Sequence, residues 1–98
     1  MYEYILPIGS VVKVKNVAPR LMVFGILQKS KTSDLRYDYI ATAYPEGQYD
    51  PALNIGFKHE DIEEVVFKGF EDDDRKAFIA TLEIIALREA ELKEENNK

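Results

Sequence analysis

The sequence predicts a small α+β protein, with a small curled antiparallel sheet of four to five strands and a C-terminal helix packed on it. Three observations support this class. Short segments with apolar residues at alternate positions are separated by turn residues, which is typical of consecutive antiparallel strands. Gly25 interrupts the most apolar of these segments, as expected where a sheet coils towards an SH3-like, partly open barrel. The end of the chain is charged and carries apolar residues at helical spacing.

The predicted strands are Ser10–Lys15, Arg20–Gln28, Tyr37–Tyr44, Ile55–Lys58 and Glu63–Lys68. The first alternates valine with lysine, which indicates one buried and one solvated face. The second is apolar almost throughout, which favours a central strand buried on both faces. After the third, Tyr44-Pro45-Glu46-Gly47 fits a type I turn, and the polar segment Lys29–Arg36 is predicted to be a mobile loop. Short turns between the strands favour antiparallel pairing.

The 98 residues are predicted to form a single domain, with a β module at about 6–70, a helix at 71–94 and a frayed tail at 95–98. Asp72 is the expected N-cap of the helix. One apolar stripe of the helix should pack on the sheet; it comprises Phe78, Ile79, Leu82, Ile85 and Ala86. Ile84 and Leu87 fall on the opposite side, which indicates either deeper burial or contact with a partner or a second copy.

Charge and composition exclude several classes of function. Residues 1–70 carry eight basic and nine acidic side chains, whereas residues 71–98 carry five basic and nine acidic ones. With a net charge of -5, the chain lacks the positive surface that binding to nucleic acid requires. There are no cysteines, so thiolate metal sites and disulfides are excluded. No segment is long and apolar enough to span a bilayer, and the N-terminus lacks a secretory start, so we expect a cytoplasmic protein without membrane contact.

His59 is the only histidine, and it lies beside Glu60 and Asp61. A catalytic base needs a nucleophile and an orienting group, and zinc takes three or four protein ligands. Neither pattern is present, so we interpret His59 as a structural corner before the last strand. We expect His59→Ala to leave function largely intact and to cost at most modest stability. The run Asp72–Asp74 lacks the alternate spacing of a calcium loop. We therefore expect no enzyme, no metal and no cofactor.

Tyr44 and Tyr49 are the aromatic candidates for partner contact. The chain has six tyrosines and no tryptophan, so several amphipathic rings should remain near the surface. Tyrosine is enriched at protein interfaces because its ring is apolar and its hydroxyl is polar. The sequence therefore predicts a protein-binding surface at Ile84 and Leu87 on the helix, or at these two tyrosines.

Several segments together resemble a known family. They are Leu6–Val12, Leu21–Gly25, Tyr37–Ile40, Tyr44–Gly47, and Phe57–Ile62 continuing to Phe67–Phe70. In this order they resemble a small domain of unknown function found in Firmicutes. That family is encoded in type VII (ESX-like) secretion loci, near WXG-type proteins and LXG toxins. The turn Asn16–Pro19 departs from the lysine- and glycine-rich turn of the family.

The resemblance implies a non-catalytic accessory protein of type VII secretion. Its partner would be a secreted LXG-type effector or a helical WXG-like protein, which it would chaperone or target before export. The alternative is an immunity protein that neutralises a toxin encoded nearby, since small acidic inhibitors can match basic toxin clefts. A homodimer is also left open. The family has no defined catalytic residues to transfer to this chain.

Overall fold

The computed structural model describes residues 1–29 and 35–96. The strands are β1 (Val11–Val14), β2 (Arg20–Lys29), β3 (Arg36–Tyr44), β4 (Ile55–Phe57) and β5 (Ile62–Phe67). Two 3-10 turns occupy Pro51–Leu53 and His59–Asp61, and the helix α1 spans Asp73–Asn96. The helix therefore includes residues 95 and 96, which had been assigned to a frayed tail. Most of the loop expected at 29–36 lies outside the described residues.

The five strands form one antiparallel sheet in the order β4-β3-β2-β1-β5. Strands β1 to β4 follow one another as a meander, and β5 returns to pair with β1. Within the described residues, β4 and β5 each have a single neighbour, so the sheet is not closed into a barrel. The predicted class, a small antiparallel sheet followed by one C-terminal helix, is confirmed.

The link between β4 and β5 shows that the sheet is strongly curled. Four residues, 58–61, connect two strands at opposite edges of the sheet. In a flat sheet these edges would lie about 19 Å apart, because neighbouring strands are spaced by about 4.8 Å. Three of the linking residues form a 3-10 turn, which rises only about 2 Å per residue. The link is therefore too short for a flat sheet, and the edges curve towards each other.

Most of the core lies on one face of this sheet. Cross-strand pairs such as Val12↔Leu21 and Val23↔Ala41 place the buried side chains of successive strands side by side. The buried residues on this face are Val12, Val14, Leu21, Val23, Ile26, Tyr39, Ala41 and Phe57. The register of β2 against β3 shifts between Val23 and Gly25, which is the irregularity predicted at this glycine.

Two local predictions are wrong. In β2 only alternate residues are buried, and Met22 and Phe24 remain partly exposed, because the second face of the sheet also carries apolar side chains that are not covered. The turn after β3 is not of type I, since its hydrogen bond runs from the Gly47 N–H to the Ala43 carbonyl, one residue longer than a β-turn. The Tyr44–Pro45 peptide bond is cis.

The chain divides into two compact units. One, here called the sheet module, is Ile5–Phe70; the other, the helical unit, contains Met1–Tyr4 and α1. In the helical unit, the Asp72 carboxylate accepts a hydrogen bond from the Arg75 N–H at 3.0 Å, which confirms the predicted N-cap. Phe78 and Ile85 of the predicted stripe are 52% and 47% exposed. The packing of that stripe on the sheet stays a prediction.

Candidate functional site

The corner between β4 and β5 contains a hydrogen-bonded aromatic pair whose tyrosine is buried. The hydroxyl of Tyr39, a fully buried residue of β3, lies 2.6 Å from Nδ1 of His59 and accepts a hydrogen bond from the Leu6 N–H at 3.0 Å. The simplest proton assignment has Tyr39 donating to Nδ1, with the imidazole proton on Nε2. The Tyr39 ring also stacks on Phe57, with centroids 5.3 Å apart.

The backbone of the same corner is held by carboxylates. The Asp38 side chain accepts from the His59 N–H at 2.8 Å, and the Asp61 side chain accepts from the Lys58 N–H at 3.1 Å. Residues 38 and 39 of β3 therefore fix His59 through its backbone and its ring. Among the described residues, no group of three or more His, Asp or Glu side chains is placed to hold a metal ion. These contacts are those of a structural anchor.

The structure gives a size to the expected stability cost of removing His59. The prediction of a modest cost rested on the lack of partners for chemistry, and nothing in the sequence indicates that the imidazole has a fully buried hydrogen-bond partner. Breaking a hydrogen bond to a buried hydroxyl costs about 1–3 kcal/mol. The role of Tyr39 could not be predicted, because a tyrosine inside a predicted strand is expected to pack in the core. Its hydrogen-bond partner, His59, also lies 20 residues away in the sequence.

A second long-range contact joins the start of β1 to the end of β5. The Ser10 hydroxyl, fully buried, accepts a hydrogen bond from the Gly69 N–H at 2.9 Å. A Cβ on Gly69 would lie 2.4 Å from the Ile8 carbonyl oxygen and 2.9 Å from the Ser10 nitrogen, so only glycine fits. This contact gives a physical reason for Ser10 and Gly69, which lie in two of the segments that carry the family resemblance, Leu6–Val12 and Phe67–Phe70.

The two candidate tyrosines lie in the sheet module, and both are accessible. Tyr44 ends β3 with 42% of its surface exposed, and the Arg20 guanidinium lies 5.2 Å from the centre of its ring. Tyr49, in the following loop, is 74% exposed. The module also exposes Phe67 and Phe70, at 60% and 79%, which the sequence had not singled out as candidates.

The other two candidates lie in the helical unit. Ile84 and Leu87 are 61% and 54% exposed, so their deeper burial, the alternative left open by the sequence, does not occur. Ala77 and Ala80 precede them at spacings of three and four residues and are also exposed. Such spacing places all four side chains on one side of a helix. We call this set (Ala77, Ala80, Ile84 and Leu87) the seam.

The N-terminal segment lies beside the seam. The Glu83 carboxylate accepts from the Tyr2 N–H at 2.8 Å and lies 3.0 Å from the Met1 amino group. These two contacts, the first being the stronger, hold the pKa of Glu83 below its ordinary value. An open groove of about 280 Å³ runs between this segment and α1, lined by Tyr2, Glu3, Glu71, Arg75, Lys76, Ile79, Ala80 and Glu83. Its charges are mixed, which matches no single class of small ligand.

Within the described residues, no helix combines the length and apolar character needed to cross a membrane. The structure groups the predicted contact residues in two pairs, each on a different unit: Tyr44 with Tyr49, and Ile84 with Leu87. The second pair has more of the features of a protein-binding surface, because its side chains are aliphatic, regularly spaced and carried by one long helix.

Comparisons with known proteins locate the family. Neither the curated proteins nor the solved structures include a chain similar to this one. The model of one family, described as a domain of unknown function (DUF4176), matches residues 5–78. The match covers the sheet module and the first turns of α1, which is more than half of the chain. A family of unknown function was what the resemblance implied, whereas the secretion context stays a prediction. The chain belongs to the DUF4176 family.

Proposed function

We propose that this protein is a non-catalytic accessory factor of type VII secretion that binds a secreted LXG-type effector, or a helical WXG-like partner of that effector, in the cytoplasm. It would act as a chaperone or targeting factor before export. Family membership and the resemblance to proteins encoded in such loci support the biological setting. The observation that carries the proposal is the exposure of Ile84 and Leu87 on the seam.

The energetics favour a protein partner that uses the whole seam. Full burial of an exposed aliphatic side chain contributes about 1.5–3 kcal/mol. Ile84 and Leu87 are little more than half exposed, so burying both contributes about 2–3 kcal/mol. A micromolar complex needs about 8 kcal/mol. Contacts along Ala77 and Ala80 must therefore add to the pair, and a helix lying along α1 would reach all four residues.

Co-purification with the products of neighbouring genes tests the proposal. The variant Ile84→Lys/Leu87→Lys should abolish recovery of the effector, because two ammonium groups would be desolvated without partners in an apolar contact. Thr81→Lys/Ala90→Lys is the matched control, since it adds the same charge to the same helix at exposed positions that flank the seam but do not belong to it. Loss with the first variant alone supports the proposal. Undiminished recovery with the seam variant contradicts it and directs attention to Tyr44 and Tyr49.

An immunity role is the second candidate, and the net charge of -5 is the observation that favours it. An acidic inhibitor is attracted to the basic cleft of an enzyme that acts on nucleic acid. The two roles differ in which part of the effector is bound. Recovery of the N-terminal LXG region supports the accessory role, whereas recovery of the C-terminal toxic domain, with protection of cells that express it, supports immunity.

A further inference from the structure

We infer that the seam binds a single partner helix whose own apolar stripe has a basic residue at each end, and not a second copy of this chain. This inference rests on the proposed function and specifies the chemistry of the partner. It comes from two acids on the line of the seam. Asp73 lies four residues before Ala77, and Glu91 lies four residues after Leu87. Both are exposed.

The spacing places these acids on the same side of α1 as the seam. Along the helix the positions run Asp73, Ala77, Ala80, Ile84, Leu87 and Glu91, with alternating steps of four and three residues. This alternation keeps side chains along one contact line between two helices. The line extends over about 27 Å, because each helical residue rises about 1.5 Å. A partner helix along this line meets a carboxylate at each end.

The same acids disfavour pairing with a second copy. In an antiparallel pair, Ala77 can face Leu87 of the second copy and Ala80 can face its Ile84, which matches small side chains with large ones. That register also places Asp73 opposite Glu91 of the second copy at both ends. A parallel pair in register places each acid opposite itself. On the contact line itself, both arrangements that use the whole seam therefore bring like charges together, which opposes association. The bases Lys76 and Arg88 lie beside this line and not on it.

Size and charge together define the occupant. The alanine half of the seam admits large apolar side chains at close approach, whereas Ile84 and Leu87 favour smaller ones. Lysine or arginine at each end, about 18 helical residues apart, would complement Asp73 and Glu91. Because acids lie at both ends, charge alone does not select parallel or antiparallel docking. The direction of the partner helix is selected by side-chain size, because the seam has small side chains at its N-terminal end and large ones at its C-terminal end.

Two synthetic helical peptides test this inference. Both carry the same apolar stripe, and they differ only in having lysine or glutamate at its two ends. Titrated by fluorescence anisotropy at low salt, the lysine-ended peptide should bind at least tenfold more tightly than the glutamate-ended one. The preference should shrink in 0.5 M NaCl, because exposed charges are screened within about 4 Å at that ionic strength. Analytical ultracentrifugation should show that the protein alone is a monomer.

The charge-reversed variant Asp73→Lys/Glu91→Lys should invert the preference. Asp74→Lys/Glu89→Lys makes the same change in charge at nearby positions off this contact line and should leave the preference intact. Circular dichroism verifies that both variants remain helical. Inversion by the first pair alone supports the inference. Equal binding of the two peptides, binding of neither at millimolar concentration, or a dimer lost in Ile84→Lys/Leu87→Lys overturns it.

The outcome is separable from that of the proposed function. If the seam variant abolishes recovery of the effector while the peptides bind equally, the proposed function is supported and the inferred preference for basic ends is contradicted. If the lysine-ended peptide is preferred while the seam variant still recovers the effector, the seam has the inferred chemistry but the effector binds elsewhere.

Discussion

The sheet module and the helical unit are stabilised in different ways. The module buries most of its core side chains on one face of the sheet and includes fully buried polar residues, Ser10 and Tyr39, that are hydrogen-bonded across long sequence separations. The helical unit has half or more of the surface of Phe78, Ile84 and Leu87 exposed, and its hydrogen bonds to side chains lie near the surface. The buried contacts of the sheet module specify one conformation, whereas the helical unit leaves apolar side chains exposed and available for binding.

This difference separates positions that determine stability from positions that determine binding. A buried residue with a fixed partner affects the free energy of unfolding when it changes, because packing and hydrogen bonds are lost together. An exposed helical residue has little effect on stability unless a partner covers it. Substitutions in the module should therefore reduce stability, whereas substitutions on the seam should reduce binding alone.

The largest effect is expected from Gly69→Ala in the module. Its new Cβ would lie 2.4 Å from the Ile8 carbonyl oxygen, so the backbone that joins β1 to β5 must move. We expect a loss of about 3 kcal/mol or more in the free energy of unfolding, measured by urea denaturation. Gly47→Ala is the control, since it has open space around its Cβ and only a positive φ of 77°, which costs about 1 kcal/mol. Equal losses would show that the contact at Gly69 is relieved at little cost.

The next effect concerns the Tyr39–His59 pair. Tyr39→Phe and His59→Ala should each destabilise the protein by about 1–3 kcal/mol, because each breaks a hydrogen bond that involves a fully buried hydroxyl. The double variant should cost less than the sum, with a coupling energy of about 1 kcal/mol. Tyr49→Phe removes a hydroxyl from a tyrosine that is 74% exposed and should change stability by less than about 0.5 kcal/mol. Additive costs would show that the two residues act independently.

How far the sequence predicts this molecule also differs between the two units. The five strands follow from alternating apolar residues and turn residues, and the helix start follows from Asp72, because these signals are local. The Tyr39–His59 and Ser10–Gly69 contacts could not be predicted, since each joins residues 20 or more positions apart. Ile84 and Leu87 were found because helical spacing is regular. Their neighbours Asp73 and Glu91 were not, because acids on a helix usually face solvent.

A smaller effect on stability is expected from Ile84→Lys/Leu87→Lys. Both side chains are more than half exposed and lysine is a good helix former, so the free energy of unfolding should change by less than about 1 kcal/mol. Thermal unfolding followed by circular dichroism provides the measurement. A large fall in Tm would show that these residues support the fold in solution, and the loss of partner recovery in this variant would then not report on binding.

The smallest effect concerns Glu83 and the N-terminal segment. The Tyr2 N–H and then the Met1 amino group lower the pKa of this carboxylate, so its contribution to docking is present above the ordinary glutamate value of 4.5 and is lost as the pH falls through the lowered pKa. The amide chemical shift of Tyr2 should therefore titrate with a midpoint below 4.5. Glu83→Gln should remove this titration and leave the overall Tm nearly unchanged, because the contact lies at the surface. Glu91→Gln, which changes an exposed glutamate further along the same helix, is the control and should leave the titration in place. A Tyr2 amide that titrates equally in both variants would show that another carboxylate, such as the neighbouring Glu3, and not Glu83, determines its chemical shift.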